Sequence, residues 1–168
     1  ADDATTNVVG TVNLLDLSAA NGVEKLIFAS TCAVYSEPVH LPMDEDHPIG
    51  PKSAYGASKY AAEGYFRLYS RVHGLPHTIF RYGNVYGPRQ SPKGEAGVVA
   101  IFMGQMLAKE RPTIFGDGTK TRDYIFVGDV VDANLLATGA KGTGQTLNLA
   151  GGVEVSDFEI FDAVRQAT

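Results

Sequence analysis

A single cysteine, Cys32, leaves this 168-residue chain without a partner for an internal disulfide. That fits a reducing compartment, and the expected location is the cytoplasm. No apolar run approaches the ~20 residues that a membrane-crossing helix needs, so no membrane partner is expected. Basic charge is sparse as well: 14 Lys and Arg stand against 19 Asp and Glu, a net charge of -5 with no basic block. Phosphate-backbone binding needs a clustered positive surface, which argues against nucleic acid. The histidines at 40, 47, 73 and 77 show no metal-ligand spacing and read as loop and helix-end residues, so no metal is expected. A glycine-rich turn of the G-x-G-x-x-G or G-x-x-G-x-x-G kind after a strand is also missing. A bound dinucleotide needs such a turn, because its pyrophosphate rests on backbone N–H groups at a helix N-terminus.

What is present is ordinary for a soluble globular domain with a proper core: 44% hydrophobic and 20% charged residues. The spacing of apolar residues predicts a helix over 5–21, stopped at Asn21-Gly22, a strand over 25–30 and a helix over 53–73 ending at His73-Gly74. Residues 36–52 hold four of the eight prolines and the Asp44-Glu45-Asp46 run, and read as a surface loop. A strand over 77–82 follows, then a Gly/Pro-rich loop to about 96. Later segments are a helix over 97–109, strands over 112–115 and 122–127, a helix over 128–139, a strand over 146–150 and a helix over 156–167. Alternation of this kind implies a parallel sheet with helices on its faces.

The most informative stretch is Tyr55-Gly-Ala-Ser-Lys59. Four residues apart on a helix puts Tyr55 and Lys59 on one face, one turn apart. A bare phenol titrates near pH ~10 and is a poor base at neutral pH. A neighbouring ammonium favours the phenolate and makes Tyr55 a candidate acid and base for an alcohol proton. An exposed amphipathic pair is the alternative. Upstream, Leu26-Ile27-Phe28-Ala29-Ser30-Thr31-Cys32-Ala33-Val34-Tyr35 begins as a strand and ends in hydroxyl residues. Ligand chemistry gathers beyond the carboxyl ends of strands in parallel sheets. Downstream stand Gly83-Asn84-Val85-Tyr86-Gly87, then Gly116-Asp117-Gly118 and Arg122-Asp123-Tyr124.

In this order the motifs resemble the extended short-chain dehydrogenase/reductase family, in particular its NAD-dependent nucleotide-sugar epimerase/dehydratase group and most of all the UDP-glucose 4-epimerases. The resemblance runs from Asn7-Val8-Val9-Gly10-Thr11 to the end. It implies an α/β fold: part of a doubly wound, Rossmann-type parallel sheet with part of a small substrate-binding lobe. It implies Tyr55 as acid/base, with Lys59 beside it and on the nicotinamide ribose. Thr31, four before Tyr35, takes the place of the family's catalytic Ser or Thr, with Ser30 as the alternative if the register is off by one. A strand-end turn residue is the plainer reading of Thr31. Asn7 and Gly83 are implied near the cofactor. Asn84 is implied on the sugar nucleotide, though a turn also favours Asn there. Arg122 is implied on the diphosphate, where a guanidinium holds two oxygens at once; an ion pair with Asp123 or Asp117 is the alternative. Val98 and Thr113 to Phe115 are implied at the nucleotide base, or are simply packed core.

The implied activity is epimerisation at C4 of a nucleoside-diphosphate sugar through a transient 4-keto sugar, with NAD as cofactor. A 4,6-dehydratase needs further proton-transfer groups, and family dehydratases carry Asp-Glu after the catalytic Thr; Cys32-Ala33 stands there instead. Cys32 itself has no thiolate-stabilising base in the sequence nearby and reads as a small packed side chain. Reductase and decarboxylase activities stay open, as does a fragment unable to hold NAD. Ser36 departs from the family's glycine after Val-Tyr. With the glycine-rich unit missing, residues 1–168 are expected to be the later part of the NAD-binding domain interleaved with part of the substrate region of a longer enzyme. The chain alone is then expected to be inactive, and the parent a homodimer paired through helices 5–21 and 53–73.

Overall fold

The computed structural model describes residues 2–93 and 97–168. In chain order a π-helical turn, Ala4–Val9, runs on into α1 (Gly10–Ala20), followed by β1 (Leu26–Thr31), a 3₁₀ turn Cys32–Val34, and α2 (Ala54–His73). Then come β2 (His77–Tyr82), β3 (Asn84–Tyr86), α3 (Val98–Leu107), β4 (Thr121–Phe126), α4 (Val127–Ala137), β5 (Thr146–Leu149), β6 (Glu154–Ser156) and α5 (Asp157–Ala167). The chain divides into two units, one taking in the chain up to Tyr82 with Ala133–Leu149, the other Gly83–Asp132 with Ala150–Thr168.

The first unit carries a parallel sheet of Rossmann type in the order β1-β2-β5, with Phe28 beside Ile79, Thr31 beside Tyr82, and Tyr82 beside Leu149. Every residue of β2 from His77 to Arg81 is buried, as expected for a strand paired on both sides. His77 therefore belongs to the interior and not to a loop, and burial pushes its pKa down. His47 is also buried and accepts the Val39 N–H on Nε2. Leu15 of α1, Phe66 of α2, Leu75 and Ile79 form the core, and Phe28 meets Phe66 with ring centroids 4.7 Å apart.

Local signals account for the helix ends. Asn21 and Gly22, at φ 64°, close α1 in a left-handed turn that a glycine accepts without strain. The Ser53 hydroxyl accepts the Gly56 N–H at 3.0 Å and starts α2. Gly74, at φ 66°, ends it after Arg71 and His73, which suit the negative end of the helix dipole. Gly56 is required for another reason: a Cβ there would lie 2.3 Å from the Ala33 carbonyl oxygen. Helix α2 thus rests backbone to backbone on the turn that follows Thr31.

In the second unit β3 runs parallel to β4, and β4 antiparallel to β6. Helices α3 and α5 meet through Phe102 and Phe161, and α5 opens with a capping box between Ser156 and Glu159. The strand expected over 112–115 is absent; these residues are irregular and Thr113, Ile114 and Phe115 line a cavity. Pro112 has no N–H to give to a ladder. Strands β3 and β6 were not expected from the pattern, because three residues are too few to show a period of two.

Gly56→Ala is expected to destabilise the protein by about 1–3 kcal/mol, the range of overpacking, since the new methyl meets backbone. Gly64→Ala, in the same helix with nothing within 4 Å of its Cβ position, is expected to stabilise by about 0.5–1 kcal/mol. Thermal unfolding of the two variants checks the contrast; equal responses would contradict the close seating of α2.

Candidate functional site

Helix α2 brings Tyr55 and Lys59 to the carboxyl end of β1, where Thr31 stands. The Lys59 ammonium donates to the Ala29 carbonyl at 3.0 Å and lies 5.0 Å from the centroid of the Phe28 ring and 6.0 Å from that of Tyr55. Burial pushes the Lys59 pKa down. Ala29 takes one of the three N–H donors of the ammonium. Tyr55 is 42% exposed, so its phenol is within reach of a ligand. The Thr31 Oγ1 accepts the Ala33 N–H at 3.1 Å, which starts the 3₁₀ turn and leaves the hydroxyl's own proton for another partner. Asn7, in the π-helical turn, donates to the Ser58 hydroxyl at 3.0 Å, and Ser58 donates to the Tyr55 carbonyl at 2.9 Å. Asn7 is thereby tied to the first turn of α2. Cys32 is half-buried and donates to the Arg81 carbonyl at 3.4 Å.

Behind these residues lies a buried polar cluster that sequence reasoning missed. Glu63 has no exposed surface, and Arg81 grips it with two parallel bonds, Nε to Oε1 at 3.0 Å and a terminal nitrogen to Oε2 at 2.7 Å. Ser30 donates to Glu63 Oε1 at 2.6 Å, and Arg67 to Oε2 at 3.2 Å. The other Arg81 nitrogen donates to the Tyr35 hydroxyl at 2.9 Å, which donates to Asn148 Oδ1 at 2.6 Å. Burial pushes the Glu63 carboxyl up, but the bonds from Arg81 and Ser30 outweigh it and hold the pKa below its ordinary value. Burial likewise pushes the Tyr35 phenol up. Ser30 is therefore committed to Glu63, and Thr31 is the hydroxyl left at the strand end. The signal was available: an acid on the inner face of a helix and an arginine inside a buried strand must find each other. The Asp44-Glu45-Asp46 run is not wholly a solvated one either, since Glu45 accepts the Asn148 N–H at 2.7 Å.

In the second unit a cavity of about 230 Å³ is lined by Val98, Phe102, Thr113, Ile114, Phe115, Lys120, Arg122, Tyr124 and Asp157. It brings together Val98, Phe115 and Arg122, which the family resemblance had assigned to the nucleotide. Lys120, Tyr124 and Asp157 were not anticipated, although 120, 122 and 124 alternate and so share one face of an extended strand. The Tyr124 phenol is pushed up by burial and by Asp157, against the pull of Arg122. Arg122 donates to the Thr121 carbonyl at 2.8 Å. Asp123 instead accepts the N–H groups of Gly151 and Gly152, at 2.6 and 2.9 Å, and Asp117 holds Thr119. Asn84 donates to the Asp123 carbonyl at 3.0 Å. Gly83 is tightly enclosed: a Cβ there would be 3.2 Å from the Asp123 carbonyl oxygen and 3.3 Å from Ala150. Among the described residues no group of three or more His, Cys, Asp or Glu is placed to hold a metal ion, and no helix is long and apolar enough to cross a membrane.

A putative UDP-glucose 4-epimerase of Methanocaldococcus jannaschii is 49% identical over 97% of this chain and 53% of its own length. The crystal structure of a UDP-glucose 4-epimerase from Thermotoga maritima, with UDP-glucose, superposes with a TM-score of 0.93 at 45% identity, over 97% of this chain and 53% of that one. A Thermus thermophilus UDP-glucose 4-epimerase in complex with NAD gives 0.87 at 41% identity, over 96% and 53%. The chain spans about half the length of the curated relatives it matches. The family model described as the NAD dependent epimerase/dehydratase family matches residues 1–150. With a parallel α/β sheet, a seated Tyr-x-x-x-Lys helix and that match over most of its length, the chain belongs to the NAD dependent epimerase/dehydratase family.

Proposed function

We propose that the full-length protein carrying this chain is an NAD-dependent epimerase acting at C4 of a nucleoside-diphosphate sugar of the UDP-glucose/UDP-galactose type. The observation that carries this reading is the seating of α2. Gly56 rests on Ala33 and Lys59 is bonded to Ala29, so the phenol and the ammonium are held beside Thr31 at the end of β1. The relatives named above, two of them seen with UDP-glucose or NAD, support the substrate and cofactor. The share of those relatives that the chain spans supports a longer parent, in which this sequence is the later part of the NAD-binding domain with part of the substrate region.

The residues present fit the nicotinamide-ribose end of NAD: the half-buried Lys59 ammonium has donors beyond the one given to Ala29, and a ribose diol supplies acceptors for them. When bound, NAD supplies reversible acceptance of the C4 hydride. Tyr55, its phenolate favoured by the Lys59 cation, takes the O4 proton, with the Thr31 hydroxyl as the bridge. Tyr55 returns that proton after the 4-keto sugar has presented its other face. Arg122 and Lys120 supply the positive charge for the diphosphate, and Val98 and Phe115 the apolar wall for the base. Asn84 and Gly83 serve sugar and nicotinamide, and Asn7 steadies the α2 turn that carries Tyr55. Dehydration is disfavoured because Ala33 has no acid and the Cys32 thiol is bonded to the Arg81 carbonyl. We place the protein in the cytoplasm as a homodimer. The exposed apolar side chains Leu14 and Leu17 of α1 and Leu68 and Val72 of α2 support the helical pairing.

In the full-length enzyme, Tyr55→Phe is expected to cut turnover by about 10²–10⁴-fold, the range for a general acid–base group, with nucleotide-sugar binding retained. Near-normal turnover would remove the central assignment. Arg122→Ala is expected to weaken UDP binding by about 1.5–3 kcal/mol, as for a hydrogen bond to a charged group, while NAD binding is unchanged in calorimetry. Equal losses for both ligands would mean that Arg122 serves the fold.

A further inference from the structure

The buried cluster behind the α2 helix has no reacting group of its own, yet it joins the elements that carry them. Ser30 directly precedes Thr31 on β1. Glu63 is one turn beyond Lys59 and two beyond Tyr55 on α2. Arg81 lies on β2, between them. We propose that the hydrogen bond from Ser30 to Glu63 is a positioning device: it sets the register between the Tyr55–Lys59 helix and the Thr31 strand end. This rests on Tyr55, Lys59 and Thr31 being the reacting groups.

Besides the packing of Phe66 on Phe28, three contacts join successive turns of α2 to β1 and the turn after it. The first turn touches Ala33 through Gly56, the second bonds Ala29 through Lys59, and the third accepts from Ser30 through Glu63. The first is a steric touch and the second a bond from a flexible lysine, so each tolerates more adjustment than a bond between two enclosed groups. The third is rigid. Glu63 is wholly enclosed, its two oxygens are gripped by the planar Arg81 guanidinium, and the 2.6 Å Ser30 bond is the one made to β1. The carboxylate is thus fixed to β2 by Arg81 and to β1 by Ser30. Removing the Ser30 hydroxyl keeps the ion pair, and with it the charge balance of the interior. It deletes only the tie between Glu63 and the strand that ends in Thr31.

The test is Ser30→Ala in the full-length enzyme, with Tyr55→Phe alongside. Ser30→Ala is expected to lower kcat roughly tenfold with KM for the nucleotide sugar unchanged, within the ~10²-fold that a 1 Å misplacement costs. The acid limb of the kcat profile is expected to move to higher pH, because a phenol farther from the Lys59 cation titrates higher. A merely structural Ser30 would lower the folded fraction and leave that limb where it was. Unchanged kcat and pH profile in Ser30→Ala, with Tyr55→Phe inactive, would overturn the positioning role alone. An active Tyr55→Phe would overturn the reading on which it rests. If Ser30→Ala does not fold, Ser30→Cys, which keeps a weak donor and the volume, is expected to show the same shift in smaller measure; a wild-type profile there overturns the proposal.

Discussion

A charge that is buried must be paired, and in this protein the pair is Glu63 with Arg81. Glu63 is wholly enclosed and Arg81 nearly so, and each satisfies the other through two parallel bonds at 3.0 and 2.7 Å. Breaking such a pair by removing one partner costs about 3–5 kcal/mol, because the remaining charge is left uncompensated. That penalty holds Glu63 of α2 to Arg81 of β2. An apolar contact such as Phe28 against Phe66 favours burial but tolerates small shifts, whereas the guanidinium–carboxylate fork accepts one geometry. The placement of Tyr55 and Lys59 depends on this pair together with the Ser30 bond to the same carboxylate, since both ride on the helix that Glu63 anchors. The same pair also reaches outward. Arg81 orders Tyr35, and Tyr35 orders Asn148 of β5, so one network spans the first unit's three strands.

The second unit solves a different problem. Its strands are short, and its cavity is walled on one side by irregular backbone at Thr113 to Phe115 and on another by the face of β4 that carries Arg122 and Tyr124. The alternation of side chains along β4 separates two jobs. Arg122 lines the cavity, while the neighbouring Asp123 accepts the Gly151 and Gly152 N–H groups, closing the turn before β6. Adjacent residues of opposite charge therefore do not pair with each other, and the cavity is lined by Lys120 and Arg122 together with Asp157.

Much of this was legible in the sequence because it is local. The caps of α2, the glycine stop at Gly74 and the Tyr-x-x-x-Lys spacing are all set by neighbours within a turn or two. The strand over 77–82 was expected, and the family resemblance placed Val98, Phe115 and Arg122 together. What was not legible is non-local. The Glu63–Arg81 pair joins positions that only the fold brings together, and Lys120 and Asp157 reach the cavity from separate segments. Residues 112–115 misled because an apolar run next to a proline looks like a strand when its partner strand is unknown. The bond from Asn7 to the Ser58 hydroxyl was likewise not legible, because it depends on a π-helical turn with no sequence signature of its own.

Epimerisation as proposed for the full-length protein requires that the hydrogen at C4 leave and return to one and the same sugar. The most direct measurement is the full-length enzyme with UDP-glucose deuterated at C4, followed by proton and deuterium NMR. The expected product is UDP-galactose that keeps deuterium at C4 with its configuration inverted, because the hydride leaves and returns to one carbon. Deuterium lost to solvent, or loss of the C6 hydroxyl in place of inversion at C4, would contradict it.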